Sequence, residues 1–198
     1  DSANPFVATW NSRGAPFDAD GATWRIQDES GRWPVPLYGT QQFEAMLVQL
    51  GVEPERARRL GMQLRQRQGG EQASAAAGAS STPADYFPLQ SLSELATLPD
   101  MDAELFGRLQ PLLTLYPTPG FNPLTAPDEL LAARLTGSRA AGVIEARQSD
   151  ALDTTTLWKL AGITADDSTV LAPGPGFTVQ LDMSLRDSRV RRTTTFIV

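Results

Sequence analysis

Few side chains in this sequence could do chemistry. The 198 residues include no histidine and no cysteine. That excludes Ser-His-Asp and Cys-His nucleophiles, imidazole acid–base catalysis, thiolate or imidazole zinc sites, Cys-ligated clusters and disulfides. What remains is carboxylate chemistry, hydroxyls, oxygen-ligand metals and one lysine, Lys159. Asp100, Asp102 and Glu104 form an Asp-x-Asp-x-Glu string, a spacing found in calcium loops. The string also opens a helical pattern, where acids complement the helix dipole, and capping explains it better. Asp18, Asp20, Asp166 and Asp167 are turn-type acids. Nothing singles out two of the 23 acidic residues as a glycosidase pair. Lys159 would need burial to act as a base or Schiff-base lysine; its place in Leu157-Trp158-Lys159-Leu160 suits a solubilising residue. No residue is designated catalytic, cofactor-binding or metal-ligating.

The net charge of −6 and pI near 4.7 oppose a phosphate-binding surface. No stretch approaches the roughly 18 to 20 apolar residues of a membrane span, and no signal peptide is visible. The chain opens at Asp1 without an initiator Met, which is expected of a processed or trimmed product.

The elements that must position these groups follow from hydrophobic period. Residues 1 to 22 read as irregular chain, with Trp10 and Phe17 able to dock. Residues 23 to 28 alternate as a strand, Asp28-Glu29-Ser30-Gly31 is a turn, and Arg32 to Val35 could return as a second strand. Thr40 can cap a helix carrying Phe43, Met46, Leu47 and Leu50; Gly51 ends it, and Pro54 starts the next. Residues 69 to 83 are low-complexity and predict a mobile loop. Ser91 or Ser93 can cap a short helix through Leu98. Asp100 or Asp102 can cap another with Leu105, Leu109, Leu112 and Leu113 on one face, stopped at Tyr116-Pro117. Phe121 to Pro127 is a structured turn before a helix at 128 to 135. A bend at Thr136-Gly137-Ser138 leads to a helix at 139 to 147, and a short helix follows through Leu160. After Pro173-Gly174-Pro175-Gly176, strict alternation from Phe177 to Leu185 and from Val190 to Ile197 predicts a β-hairpin turning at 186 to 189. Strands at both ends with helices between make an α+β chain.

The helix pair at 128 to 147 resembles a helix-hairpin-helix (SAM-like) unit, which in other proteins binds DNA phosphate through a glycine-rich hairpin. Here Leu135-Thr136-Gly137-Ser138-Arg139 holds one of the usual two glycines. DNA binding or uptake is the alternative reading, and no nucleic-acid partner is expected.

Four stretches, in order, resemble the periplasmic part of the type II secretion minor pseudopilin K family. They are Trp24 to Arg32, with its Asp-x-x-Gly-Arg turn; Leu92-Ser93-Glu94-Leu95 with Phe106 to Leu113; Phe121 to Pro127 with Leu130-Leu131; and Ala140 to Arg147. Phe177 opens a terminal hairpin in the family's place. The resemblance implies pilin-like strands at residues 1–39 and 173–198, interrupted by an inserted helical domain at 40–172. It implies a hydrophobic N-terminal helix before Asp1 that anchors the protein in the inner membrane, and a place on its periplasmic face at the pseudopilus tip. It implies a non-enzymatic role supporting export across the outer membrane, with the minor pseudopilins I and J as partners and contacts to exported substrates or the secretin. Trp33-Pro34-Val35-Pro36 replaces the family's Asn-Leu-Asn, and Leu124 replaces a second Asn. Many members carry an acidic calcium loop. The matching residues 63 to 72 place Gln or Arg at three expected carboxylates, so the resemblance carries no calcium site or other cofactor here.

Overall fold

The computed structural model describes residues 11–35, 40–68, 89–118, 120–135, 138–147, 154–162, 169–185 and 188–197. In chain order the elements are β1 (Phe17–Ala19), β2 (Ala22–Asp28), β3 (Trp33–Pro34), α1 (Thr40–Gln49), α2 (Pro54–Arg67), α3 (Ala103–Leu109), β4 (Leu113–Thr114), α4 (Asp128–Arg134), α5 (Ser138–Ala146), α6 (Thr154–Ala161), β5 (Gly176–Leu185) and β6 (Ser188–Ile197). Short 3-10 helices occupy Glu29–Gly31, Leu92–Thr97 and Gln110–Leu112. The fold is α+β, as the alternation at both ends and the helical middle lead one to expect. The expected loop at 69 to 83, the centre of the bend at 136 and 137, and hairpin residues 186 and 187 lie outside the described residues.

The chain divides into two units, residues 1–33 with 118–198, and residues 34–117. In the first, one antiparallel sheet has the order β1-β2-β5-β6 and joins strands from both ends of the chain. Residues 1 to 22 are therefore not all irregular. Ala19 pairs with Ala22 across the two-residue loop Asp20-Gly21, and both loop residues have positive φ (53° and 75°). A two-residue loop of that hand matches the right-handed twist of the strands it joins, so β1 folds onto β2. Nor does Arg32 to Val35 return along the 23–28 strand. The neighbours of β2 are β1 and β5, while β3 and β4 form a separate two-stranded sheet.

Register assigns the faces. Trp24 pairs with Leu181, Ile26 with Val179, and Phe177 with Phe196. Because side chains alternate, Trp24, Ile26, Phe177, Val179, Leu181 and Met183 share one face, and Thr23, Arg25, Gln27, Gln180 and Asp182 share the other. In the same unit α4 and α5 bury Leu130, Leu131, Ala140 and Val143.

In the second unit α1 and α2 bury Phe43, Met46, Leu47, Leu60 and Leu64. Thr40 is the first helical residue of α1, and its hydroxyl accepts from Arg65 Nη2 at 2.5 Å. Gly51, at φ 84°, closes the helix: its N–H bonds Val48 O and that of Val52 bonds Leu47 O, both at 2.9 Å. This is a Schellman end, with buried Val52 and Leu47 as its hydrophobic pair. The helix expected to run through Leu113 stops at Leu109, because Pro111 has no N–H to continue the ladder. Leu105, Leu109, Leu112 and Leu113 are nevertheless all buried.

Candidate interaction surface

The first unit is held together at a buried carboxylate. Asp28 ends β2 and is fully buried. Its Oδ1 accepts from the N–H groups of Ser30 (2.9 Å) and Gly174 (3.2 Å). Its Oδ2 accepts from Ser30 Oγ (2.5 Å), Thr125 Oγ1 (2.9 Å) and Asn122 Nδ2 (3.4 Å). A buried charge is tolerable when hydrogen bonds replace its water, and five donors do so here. Gln27 Nε2 adds a bond to Thr125 O at 2.9 Å, and Asn122 N–H bonds Ser30 O at 2.8 Å. Gly31 lies against the same turn: a Cβ there would stand 2.5 Å from the carbonyl carbon and oxygen of Thr125. Gly31→Ala is expected to cost about 2 kcal/mol, as overpacking against backbone does. Urea unfolding followed by tryptophan emission checks this; an unchanged midpoint would contradict the close approach.

The turn from Phe121 to Pro127 is gripped from its other side by Arg147. This side chain, 2% exposed, donates from Nη1 to Pro123 O (3.1 Å), Leu124 O (3.5 Å) and Ala126 O (2.7 Å), and from Nη2 to Asp128 Oδ1. Burial lowers its pKa, the Asp128 charge raises it, and the Arg13 charge lowers it again. Three of the four family-like stretches thus meet in one place. Sequence reasoning took Asp28 as a turn residue and Arg147 as a helix end. The signal that could have separated them is the Asp-x-Ser spacing of an Asx turn at a strand end.

The helix pair offers little to a nucleic acid. The Arg134 guanidinium stacks over the rings of Trp33 (4.9 Å) and Phe121 (4.1 Å), and Arg147 is spent on carbonyls. Arg139 remains exposed. Lys159 is exposed on the last turn of α6.

In the second unit the Asp-x-Asp-x-Glu string is divided. Asp102 caps α3 through Leu105 N–H at 2.8 Å and accepts from Arg56 Nη2 at 2.6 Å. Asp100 accepts from Arg59 Nε at 3.0 Å and Gln63 Nε2 at 2.5 Å, and its carbonyl takes Arg56. The Arg59 bond, then that of Gln63, holds the Asp100 carboxyl below its usual range; the Leu105 N–H, then Arg56, does so for Asp102. Residues 63 to 67, where the family resemblance would place calcium-loop acids, are the end of α2. There Gln63 binds Asp100, Arg65 binds Thr40 and Arg67 binds Glu94. Among the described residues no group of three or more acidic side chains is placed to hold a metal ion.

What the first unit presents outward is an apolar sheet face. Phe17, Trp24, Ile26, Phe177, Val179 and Phe196 line an open groove of about 830 Å³. Most of these side chains are half-buried and Phe196 is 44% exposed. An open apolar groove on one unit makes this face the candidate interaction surface. Among the described residues no helix is long and apolar enough to cross a membrane.

The family model of type II secretion system protein K matches residues 25–118. The resemblance to protein K stands. Residues 25–118 contain the Asp-x-x-Gly-Arg turn and the whole helical second unit, so the match rests on the first two family-like stretches. The fold extends the likeness further. A chain in the crystal structure of the GspK-GspI-GspJ complex from the enterotoxigenic Escherichia coli type 2 secretion system is similar with a TM-score of 0.55 at 16% identity. That similarity covers 93% of this chain and 78% of that one. No curated protein sequence matches.

Proposed function

We propose that this chain is a non-enzymatic minor pseudopilin of a type II secretion system. It assembles with the I and J minor pseudopilins, sits on the periplasmic side of the inner membrane and caps the pseudopilus tip, supporting export across the outer membrane. The observation that carries this reading is the apolar sheet face in a chain that matches protein K. A structural subunit works through such surfaces. In this reading the pilin-like frame is residues 1–39 and 173–198 and the insert is 40–172, of which 118–172 belong to the first compact unit and 40–117 to the second. The test is complementation of secretion in cells lacking their own K gene. The full-length protein restores export of the native substrate, and Val179→Asp, which charges the apolar face, does not. Equal export with Val179→Asp at equal protein level would overturn the reading.

Among the described residues of the second unit, guanidinium and amide groups already satisfy Asp100, Asp102 and Glu94, so these acids are not expected to take calcium. A ligand that binds only the folded state raises the melting temperature. Melting in millimolar calcium and in chelator is therefore expected to agree within about 1 °C, and a calcium-dependent rise of several degrees would contradict this.

A further inference from the structure

The first unit has a second recess, on the polar side of the sheet. It measures about 330 Å³, and its lining includes Arg13, Gly14, Arg25, Pro127, Asp128 and Ile144. A β-bulge builds it. Gly14 N–H bonds Ile26 O at 2.8 Å and Phe17 pairs with Trp24, so Ala15 and Pro16 together stand opposite Arg25. Gly14 supplies the positive φ of 75° that the bulge needs. Arg13 bridges to Gln27, so Arg13 and Arg25 are diagonal neighbours on one face.

Diagonal like charges on a sheet repel unless something lies between them. Among the described residues the Arg13 guanidinium donates to Arg147 O (3.1 Å), and that of Arg25 to Gly14 O (3.3 Å); both acceptors are neutral carbonyls. Among the described residues neither has a carboxylate within ion-pair distance. Asp128, the one acid that the described residues bring to the recess, is held by Arg147. A chain of net charge −6 thus keeps two half-buried arginines converging on a notch with apolar walls.

We propose that this notch binds a carboxylate carried on a short apolar stem, namely a glutamate side chain of a partner polypeptide. The paired guanidinium groups take the carboxylate oxygens, and Pro16, Pro127 and Ile144 take the methylene stem. The inference is independent of the pseudopilin reading and survives if that reading fails.

The test is an amide-shift titration of the whole 198-residue chain with a blocked Ala-Glu-Ala peptide. Its Gln counterpart, glutarate and inorganic phosphate serve as comparison ligands. The Glu peptide is expected to saturate the Gly14 and Ala15 shifts in the millimolar range, and the Gln peptide is expected to leave them unmoved. Arg25→Gln weakens the Glu peptide by about tenfold or more, the effect of losing one charge-assisted contact. Arg25→Lys restores part of it. Arg13→Gln behaves like Arg25→Gln; should it unfold through loss of its bond to Arg147, Arg25→Gln alone decides. No saturation at tens of millimolar, or equal affinity in folded Arg25→Gln, would overturn the proposal. So would binding of glutarate or phosphate without binding of the Glu peptide, which would make the notch a site for a free small anion.

Discussion

Asp28→Asn is expected to cost the first unit about 3 kcal/mol. The substitution keeps the size of the side chain and removes its charge, so the five donors around it face one carbonyl oxygen and an amide that donates toward them. Hydrogen bonds to a charged group are worth about 1.5 to 3 kcal/mol each, and breaking a buried ionic network costs about 3 to 5 kcal/mol. These values are not additive, which keeps the expectation near the lower bound. The opposite result has a clear meaning. If Asp28 were merely a charge stranded in the interior, its neutral isostere would stabilise the fold. The measurement is urea unfolding followed by tryptophan emission. All four tryptophans (Trp10, Trp24, Trp33 and Trp158) fall in the sequence of the first unit, and all three tyrosines (Tyr38, Tyr86 and Tyr116) in that of the second. The tryptophan midpoint is expected to fall with its slope unchanged, while the tyrosine signal reports the second unit separately.

Arg147→Met is expected to cost about 3 kcal/mol in the same assay. The guanidinium satisfies three carbonyls of the Phe121 to Pro127 turn, and methionine fills the volume but leaves those carbonyls unpaired. Arg147→Lys recovers the charge without the planar fork that reaches several acceptors at once, so an intermediate loss is expected. Asp128→Asn is expected to cost less than about 1 kcal/mol, because that carboxylate is 65% exposed and an exposed ion pair contributes little. A loss with Asp128→Asn as large as with Arg147→Met would make the ion pair, rather than the captured carbonyls, the source of stability.

These two residues also mark where sequence reading ended. The terminal hairpin was legible because Phe177 to Leu185 alternates strictly, and the amphipathic helices of the second unit because Phe43, Met46 and Leu47 recur at helical spacing. The Asp20-Gly21 pair was legible as a turn, but not as the hairpin that adds β1 to the sheet; Phe17–Ala19 is too short for period 2 to register. The fate of Trp33-Pro34 was not legible, because which strand a two-residue segment joins depends on contacts distant in sequence. Of the interaction surface, the apolar residues were visible and their shared face was not. That face requires the register between Trp24 and Leu181, residues 157 positions apart. Asp28 and Arg147 were missed for a related reason. Each reads locally as a turn or helix end, and only the Phe121 to Pro127 turn brought between them gives them their work.

This chain is expected to work as one subunit of a pseudopilin assembly. Light scattering on a size-exclusion column, with this chain mixed with the soluble parts of the I-like and J-like pseudopilins from the same genome, tests it most directly. A stable species containing one copy of each chain at micromolar concentration is the expected result. Separate elution of all three under those conditions would contradict it.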